Sequence, residues 1–418
     1  MEREEAKLKH LLFCCAILSL LILTGCWDQT ELEERAYVVV LGLDKHEKEN
    51  HVAVTFQIAN PQVGSSARGD EAAEPPSDVV TIVASDVSAA KEQAMSIVTR
   101  RMSFSHLQTL IVSEELARSD LNHHVISSLI IDPEVRHSMN FIVSKEKAKA
   151  FIEANKPRLE TRPHKYFQYM RERWRDVGFV PEANLNRYFQ RLGGELFLAA
   201  YATTDKTDDE PHNEGYLAGE VPQQGGDPAQ ISGSAVFKYG KMIGTLSGSE
   251  TRIALFLREK AFVSNALENF DDPLNEQFML TARILEVDDP EVEIELEKDP
   301  IEIDVEVTVR LQLMSDLSLT DYSTDLKNQA TLQQSLQEQM EKKTLETIKK
   351  TQEEFEAEPF LWHLIVRRKY LTWEEFNNSD WLDKYKDANV NVTYNAEIAN
   401  FGEQTKPAKL RKGKDERT

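Results

Sequence analysis

Residues 301–313 read Ile301-Glu302-Ile303-Asp304-Val305-Glu306-Val307-Thr308-Val309-Arg310-Leu311-Gln312-Leu313. Every odd position is aliphatic and every even position is polar. Side chains alternate across a strand, so this is one long strand with a buried face and a wet face. Phe278–Val287 and Val292–Leu296 precede it as further strands, and Val390, Val392, Tyr394, Ala396 and Ile398 repeat the alternation near the end. One-sided strands predict an antiparallel sheet with a single face covered. The predicted cover is the helix Leu326–Phe355, whose Leu332, Leu336, Met340, Ile348 and Phe355 fall on one stripe. At 1.5 Å per residue its 30 residues span about 45 Å, enough to cross four or five strands. The stripe also suits a partner helix, but the sheet then has nothing to bury its own apolar face.

Upstream the texture changes. Val52, Val54, Phe56 and Ile58 alternate as a half-buried strand, with shorter strands at Asp78–Ala84, Leu107–Val112 and Ser138–Val143. Between them Val87, Ala90, Ala94, Ile97 and Val98 recur at helical spacing, with Ser85 or Asp86 as cap. Glu114–Ile131, Lys145–Ala154, Pro163–Asp176 and Glu182–Leu192 also read as helices. The fold class is therefore α+β and multi-domain, a mixed α/β N-terminal half followed by an antiparallel sheet packed by a long helix. Asn60–Asp78 and Thr204–Gln230 have loop composition, rich in Pro and Gly, and the second is the candidate boundary. The division is a leader over 1–25, an N-terminal part over 26–203, a linker or long loop over 204–230, a C-terminal domain over 231–402 and a basic, disordered tail over 403–418.

The chain has 418 residues, 49 Lys+Arg against 71 Asp+Glu, and a net charge of −22. A protein that acidic repels phosphate backbones, which argues against nucleic-acid binding. All three cysteines, Cys14, Cys15 and Cys26, lie in the first 26 residues. The body thus has no disulfide framework, cysteine–metal site or cysteine nucleophile. Leu11–Leu23 is apolar but for Ser19, and its 13 residues reach about 20 Å, short of a membrane span and right for a signal-peptide core. It ends Leu23-Thr24-Gly25-Cys26, which looks like a bacterial lipobox and marks Cys26 for an S-diacylglycerol group and an N-acyl chain such as palmitate. An uncleaved anchor helix, or a signal peptide with an accidental cysteine, is the alternative. The n-region departs from the usual pattern, since Glu2, Glu4 and Glu5 cancel Arg3, Lys7 and Lys9. The mature chain keeps the full −22, so membrane residence must come from acyl chains, of which two suffice and one is marginal.

Four stretches then carry a resemblance. The mature start reads Cys26-Trp27-Asp28-Gln29-Thr30-Glu31-Leu32 and runs into Tyr37-Val38-Val39-Val40-Leu41-Gly42-Leu43-Asp44. Ser105-His106-Leu107-Gln108-Thr109-Leu110-Ile111-Val112 precedes Glu114-Glu115-Leu116-Ala117. Gly233-Ser234-Ala235-Val236-Phe237-Lys238 is followed by Gly244 and then by Glu250-Thr251-Arg252. Together they resemble the Ger(x)C family, the lipoprotein C subunits of spore germinant receptors, from Cys26 to about Gly402. The resemblance implies acylated Cys26 as the lipid attachment site, with Trp27 and Asp28 as a membrane-proximal motif. Trp27 also suits headgroup depth, where tryptophan prefers to sit. It implies spore germination as the process, the extracytoplasmic face of the inner spore membrane as the location, and integral-membrane A and B subunits as partners.

No chemistry-bearing motif competes with that reading. The chain lacks a nucleophile elbow, a phosphate-binding loop, His-Glu-x-x-His and an EF-hand. His123 and His124 diverge on a helix, His137 meets His123 only through tertiary folding, and His106 reads as a hydrogen-bonded structural residue. Glu302, Asp304 and Glu306 lie about 6.5–7 Å apart along one strand face, a spacing glycosidases also use, yet no aromatic platform surrounds them. The expectation is no catalytic residue, no metal and no cofactor. The function read from this is a non-enzymatic, lipid-anchored receptor subunit that couples nutrient sensing by membrane partners to germination. The alternative is a lipoprotein solute-binding protein of a transporter, which needs two hinged lobes and a cleft. A cell-envelope hydrolase is a third class. Lys406–Thr418 suits either anionic lipid or plain solvation.

Overall fold

The strand β1 (Arg35–Lys45) is apolar on both faces and buried over most of its length, and it lies in the interior of a nine-stranded sheet. The structure is a computed structural model and describes residues 34–60, 75–206, 215–258 and 266–401, with residues 3–5, 7, 10 and 13 ahead of them. Cys26, Trp27, Asp28 and the stretch 403–418 lie outside the described residues.

On one side β1 pairs antiparallel with β2 (Val52–Ala59), and β2 with β3 (Ser77–Ala84). The helix α1 (Val87–Ala94) follows, capped by Asp86, whose carboxylate accepts the Ala89 N–H at 2.9 Å. The short β4 (Arg101–Ser103) and then β5 (Thr109–Ser113) run parallel to β1 on its other side. Next come α2 (Glu114–Ala117), α3 (Leu121–Leu129), β6 (Asn140–Ser144), α4 (Ala148–Ala154), α5 (Pro163–Val177), α6 (Leu185–Gln190) and β7 (Phe197–Thr203). The parallel run β1-β5-β6-β7 requires crossovers, and these helices supply them on both faces. Leu110, Val112, Phe141 and Phe197 pack toward α1, α2, α3 and α6, while Ile111, Ile142 and Ala200 pack toward α4 and α5. Strands covered on both faces bury every residue, as β5, β6 and β7 do.

Several expectations shift here. The reach Glu114–Ile131 is two helices, because the Ser119 hydroxyl donates to the Leu116 carbonyl at 2.7 Å and closes the first at Arg118. β2 is buried on both faces rather than half-buried, since α4 covers its second face; Thr55 and Gln57 find Thr81 at 3.0 Å and Ser77 at 3.1 Å. The segment 204–230 joins β7 to β8 (Gln230–Lys238), its antiparallel neighbour, with Thr203 opposite Gln230. The sheet is continuous across it and closes with β9 (Lys241–Leu246).

After α7 (Gly248–Phe256) the second sheet begins with β10 (Ala266–Asp271), β11 (Met279–Val287), β12 (Glu291–Glu295) and β13 (Glu302–Asp316). β11 and β12 lie along the same side of β13, with Ile284 opposite Leu311 and Val292 opposite Val305; they are one path broken at Asp288–Pro290. The buried stripe Ile303, Val305, Val307, Val309 and Leu311 meets α8 (Leu326–Lys350) through Leu332, Leu336, Met340 and Ile348. The α+β class holds, with its antiparallel sheet and covering helix. One pairing differs, because β14 (Asn389–Asn400) joins β13 in parallel after the long crossover through α8.

The helix does not cross the strands. It runs along β14 in the opposite sense, with the Gln333 and Gln337 amides donating to the carbonyls of Ala396 at 2.8 Å and Tyr394 at 2.7 Å. On its other flank Gln339 exchanges two bonds with the backbone of Asp271, at 2.8 and 3.0 Å, and Lys343 donates to the Asn269 carbonyl at 3.2 Å. Apolar residues face the sheet while polar ones satisfy the backbone of both outer strands, β10 and β14. An uncovered edge is a template for aggregation, and these side chains blunt two of them.

Candidate functional site at the junction of the two sheets

The two halves share one apolar core. Leu198, Val236 and Leu246 of the first sheet, with Leu196 just ahead of β7, pack into the cluster that holds Val307, Leu336 and Phe355. The junction is built by α7, the turn that ends α8, and the segment after it. Ser247 and Glu250 form a capping box at the start of α7, and the Glu250 carboxylate also receives Lys350 from the last turn of α8, 2.9 Å from each oxygen. Thr251 is buried against Ser234 of β8 at 2.7 Å.

Arg252 is the centre of the seam, with only 2% of its surface exposed. Its Nε donates to the Val177 carbonyl at the end of α5 at 3.0 Å. Its Nη1 donates to the Leu267 carbonyl at 2.8 Å and to Glu268 at 2.5 Å, both in β10. The guanidinium lies over the Phe179 ring, 4.0 Å from its centroid. Burial lowers the Arg252 pKa and the Glu268 charge opposes that shift, so the ion survives inside.

Helix α8 ends in a widened turn, Thr351–Phe355, that drives Phe355 under β9. A Cβ at Gly244 would lie 2.5 Å from Phe355 Cε1, so only glycine admits the ring. Lys238 donates to the carbonyls of Phe355 and Glu356 at 3.1 Å each. Beyond it come α9 (Trp362–Arg367), α10 (Trp373–Asn377) and α11 (Trp381–Lys386). Arg258 Nε donates to the Pro359 carbonyl at 2.9 Å, and Trp362 Nε1 to the Leu257 carbonyl at 3.1 Å. Glu358, 1% exposed, accepts the His363 backbone N–H and faces its Nδ1, each at 2.8 Å. Burial, then repulsion from Arg191 and Arg187, pulls the Arg258 pKa down to about 9 against the attraction of Glu358.

The other motif residues are spent in the same way. Asp44 is buried at the end of β1 and accepts the Ala148 and Lys149 N–H groups at 2.7 and 3.0 Å, capping α4. A Cβ at Gly42 would sit 2.7 Å from Ile152 Cδ1 of that helix. Glu114 accepts the Tyr201 hydroxyl and Arg118 Nε, the latter at 2.7 Å. His106 meets the Ser105 hydroxyl at 3.1 Å and the edge of Tyr37 at 4.4 Å. His123 meets Tyr188 at 3.3 Å.

Glu302, Asp304 and Glu306 stand on the solvent side of β13, each directly opposite a glutamate of β12. Asn391 at 2.8 Å, Asn395 and Lys298 partner them. Among the described residues, no group of three or more His, Cys, Asp or Glu is placed to hold a metal ion, and no helix is long and apolar enough to cross a membrane. Sequence reasoning missed the α9–α11 segment. The available signal was three of the five tryptophans within residues 362–381.

Two family profiles match the chain in tandem. The one described as Spore germination protein N-terminal domain covers residues 28–203, and the one described as Spore germination B3/GerAC like, C-terminal, covers residues 232–402. The chain belongs to the Ger(x)C family of spore germination proteins. This Ger(x)C protein is 32% identical over 152 residues to Spore germination protein KC of Bacillus subtilis (strain 168), which covers 36% of this chain and 37% of that one. It is 25% identical over 144 residues to Spore germination protein A3 of the same organism, covering 34% and 37%. The matched parts thus span little more than a third of these curated relatives. In fold it is similar to the crystal structure of the GerBC protein, with a TM-score of 0.52 and 14% identity over 85% of this chain and 96% of that one.

Proposed function

We propose that this Ger(x)C protein is the lipid-anchored, non-enzymatic C subunit of a spore germinant receptor. In this reading acyl chains on Cys26 hold it at the extracytoplasmic face of the inner spore membrane, beside an integral-membrane A subunit and a transporter-like B subunit. The observation that carries the reading is the tandem of germination-protein domains, 28–203 and 232–402, in order along one chain. Two further observations support it. Leu23-Thr24-Gly25-Cys26 supplies a lipidation sequence. The motif residues Asp44, Glu114, Thr251 and Arg252 are engaged in internal contacts, which suits a body that works by its surfaces.

The tether sets a length. Nine residue steps separate Cys26 from Arg35, where β1 begins, so the reach is about 30 Å at most. Confinement within that distance raises the effective concentration of the folded body at its membrane partners, so weak contacts suffice. Coupling then means that a change in the partner subunits reaches both halves through their shared core.

The test is genetic and chemical. Deletion of this chain abolishes germination through its own receptor and leaves other receptors responding; a normal response to every nutrient refutes the reading. Cys26→Ala releases the protein from membranes and impairs germination. Mass spectrometry of the native protein then finds diacylglycerol on Cys26, and a bare thiol with the leader attached refutes the anchor.

A further inference from the structure

The strands β1, β3, β5, β6 and β7 point the same way, so their starts share one end of the first sheet. Three loops meet there. The loop after α1 leads into Arg101, which stands opposite Arg35 at the start of β1. The loop after α3 leads into Asn140 at the start of β6. The connection after α4 arrives at this end too, because Asp44 caps the start of that helix from the far end of β1.

Each loop presents a bare aliphatic side chain. Ile97 is 63% exposed, Ile131 80% and Leu159 94%. One such residue on a surface is ordinary, but three on the loops of one end mark a contact surface. The same loops carry cations: Arg100 and Arg101, Arg136, and Lys156 and Arg158. None of these five side chains has a carboxylate partner among the described residues. The acids of the loops are taken, Asp132 and Glu134 by Lys91 at 3.0 and 3.2 Å, and Glu160 by Arg162 at 2.7 Å. The loops also feel one another. Burial lowers the His164 pKa at the start of α5, and Arg162, Lys165 and His106, the last from the approach to β5, push it the same way against Glu160.

This cationic end belongs to a chain of net charge −22, and it is where β1 begins, nine residue steps after Cys26. Unpaired cations attract anionic headgroups, and aliphatic side chains between them enter the acyl boundary. The acids at the far end of the sheet do not decide the contact. Asp44 stands about 30 Å from Arg35 along β1, well beyond a screening length of about 10 Å in ordinary salt. We propose that this end is a docking surface for anionic phospholipid, with Arg100, Arg101, Arg136, Lys156 and Arg158 on the phosphates and Ile97, Ile131 and Leu159 below them. That the bilayer is the one holding Cys26 rests on the receptor reading. In that reading the acyl chains and this surface are two signals on one membrane, and the strands of the first sheet stand on it by their starts.

The test uses residues 27–418, which keep every strand of both sheets and carry neither leader nor acyl chain. Co-sedimentation with mixed phosphatidylglycerol–phosphatidylcholine vesicles, and with phosphatidylcholine alone, measures the partition. The expected result is binding to the anionic vesicles that falls as salt is raised, and little to the neutral ones. Arg101→Gln and Arg158→Gln each lower the partition about fivefold, and together about 25-fold, the scale of one headgroup contact per cation. Leu159→Ser lowers it as well and leaves the salt dependence unchanged. All three side chains are exposed, so the variants unfold as the parent does. Lys327→Gln with Lys342→Gln, on α8, leaves the partition as it was. Three results overturn the proposal: no partition to anionic vesicles, as when Asp28, Glu31 and Glu33 of the tether sequence occupy the cations instead; equal loss from the α8 pair; or binding that survives the arginine changes and disappears on deletion of 403–418. None of these bears on the acyl group of Cys26, which mass spectrometry reads separately.

Discussion

Replacing Arg252 with alanine tests whether the seam is held by one side chain. The arginine is almost wholly buried and serves three elements: the Val177 carbonyl of α5, the Leu267 carbonyl and Glu268 of β10, and its own helix α7. Removing one partner of a buried ion pair costs about 3–5 kcal/mol, because the other charge is stranded. Glu268 keeps Lys343 at 3.1 Å, which places the cost at the lower end. Loss of the Phe179 contact adds roughly 0.5–2 kcal/mol. A total of about 3.5–5 kcal/mol follows for Arg252→Ala. Arg252→Lys keeps the charge but not the fork, so an intermediate loss follows. Urea unfolding of the full chain, followed by circular dichroism and by fluorescence, measures both. A cycle with Glu268→Gln should give a coupling of about 1–3 kcal/mol. A loss under about 1 kcal/mol for Arg252→Ala, or full stability for Arg252→Lys, refutes the reasoning.

Three other outcomes follow from single contacts. Asp44→Ala removes the cap of α4 and should lower stability by about 1–2 kcal/mol, read as a fall in melting temperature. Burial acts to raise the Glu134 pKa, but the Phe104 N–H, Lys91 and Ser103 outweigh it and hold the carboxyl below its ordinary value. Its contribution is therefore present above pH 4.5 and lost as pH falls through the lower folded value, and Glu134→Gln should flatten that acid limb of a stability–pH curve. Gln333→Ala with Gln337→Ala strips donors from the Ala396 and Tyr394 carbonyls of β14; light scattering should show faster aggregation while the circular dichroism of the fresh protein is unchanged.

What the sequence made legible was what has a period. The alternation of 301–313 and the stripe of 326–355 are repeated signals, and both elements stand where they were read, with bounds shifted by a few residues. Direction is not periodic. Nothing in Val390–Ile398 distinguishes a strand parallel to β13 from an antiparallel one, because the side-chain pattern is the same in both. The path of α8 was illegible for a related reason. Its apolar stripe says which face is buried, while Gln333, Gln337 and Gln339, which fix it along the strand edges, look like ordinary solvent-facing residues. The short helices α9–α11 have five or six residues each, too few for a period to show. The motif residues were conspicuous in sequence, but their partners were not: Asp44 meets α4 about a hundred residues on, and Gly244 meets Phe355. Cys26, Trp27 and Asp28 lie outside the described residues.

The shared core decides between two ways such a chain can respond to a signal. A hinged pair of lobes absorbs a displacement in its linker and closes on a ligand. Here Val236 and Leu246 belong to the same apolar cluster as Leu336 and Phe355, and Arg252 bonds α5 and β10 at once. Close-packed interiors transmit strain instead of absorbing it. Moving the first sheet against the second would strand Glu268, open the Gly244–Phe355 contact and lose the Lys238 bonds together. Such a seam makes the halves move as one or part as one, which in the proposed reading carries a displacement from partners on one half to the tether on the other.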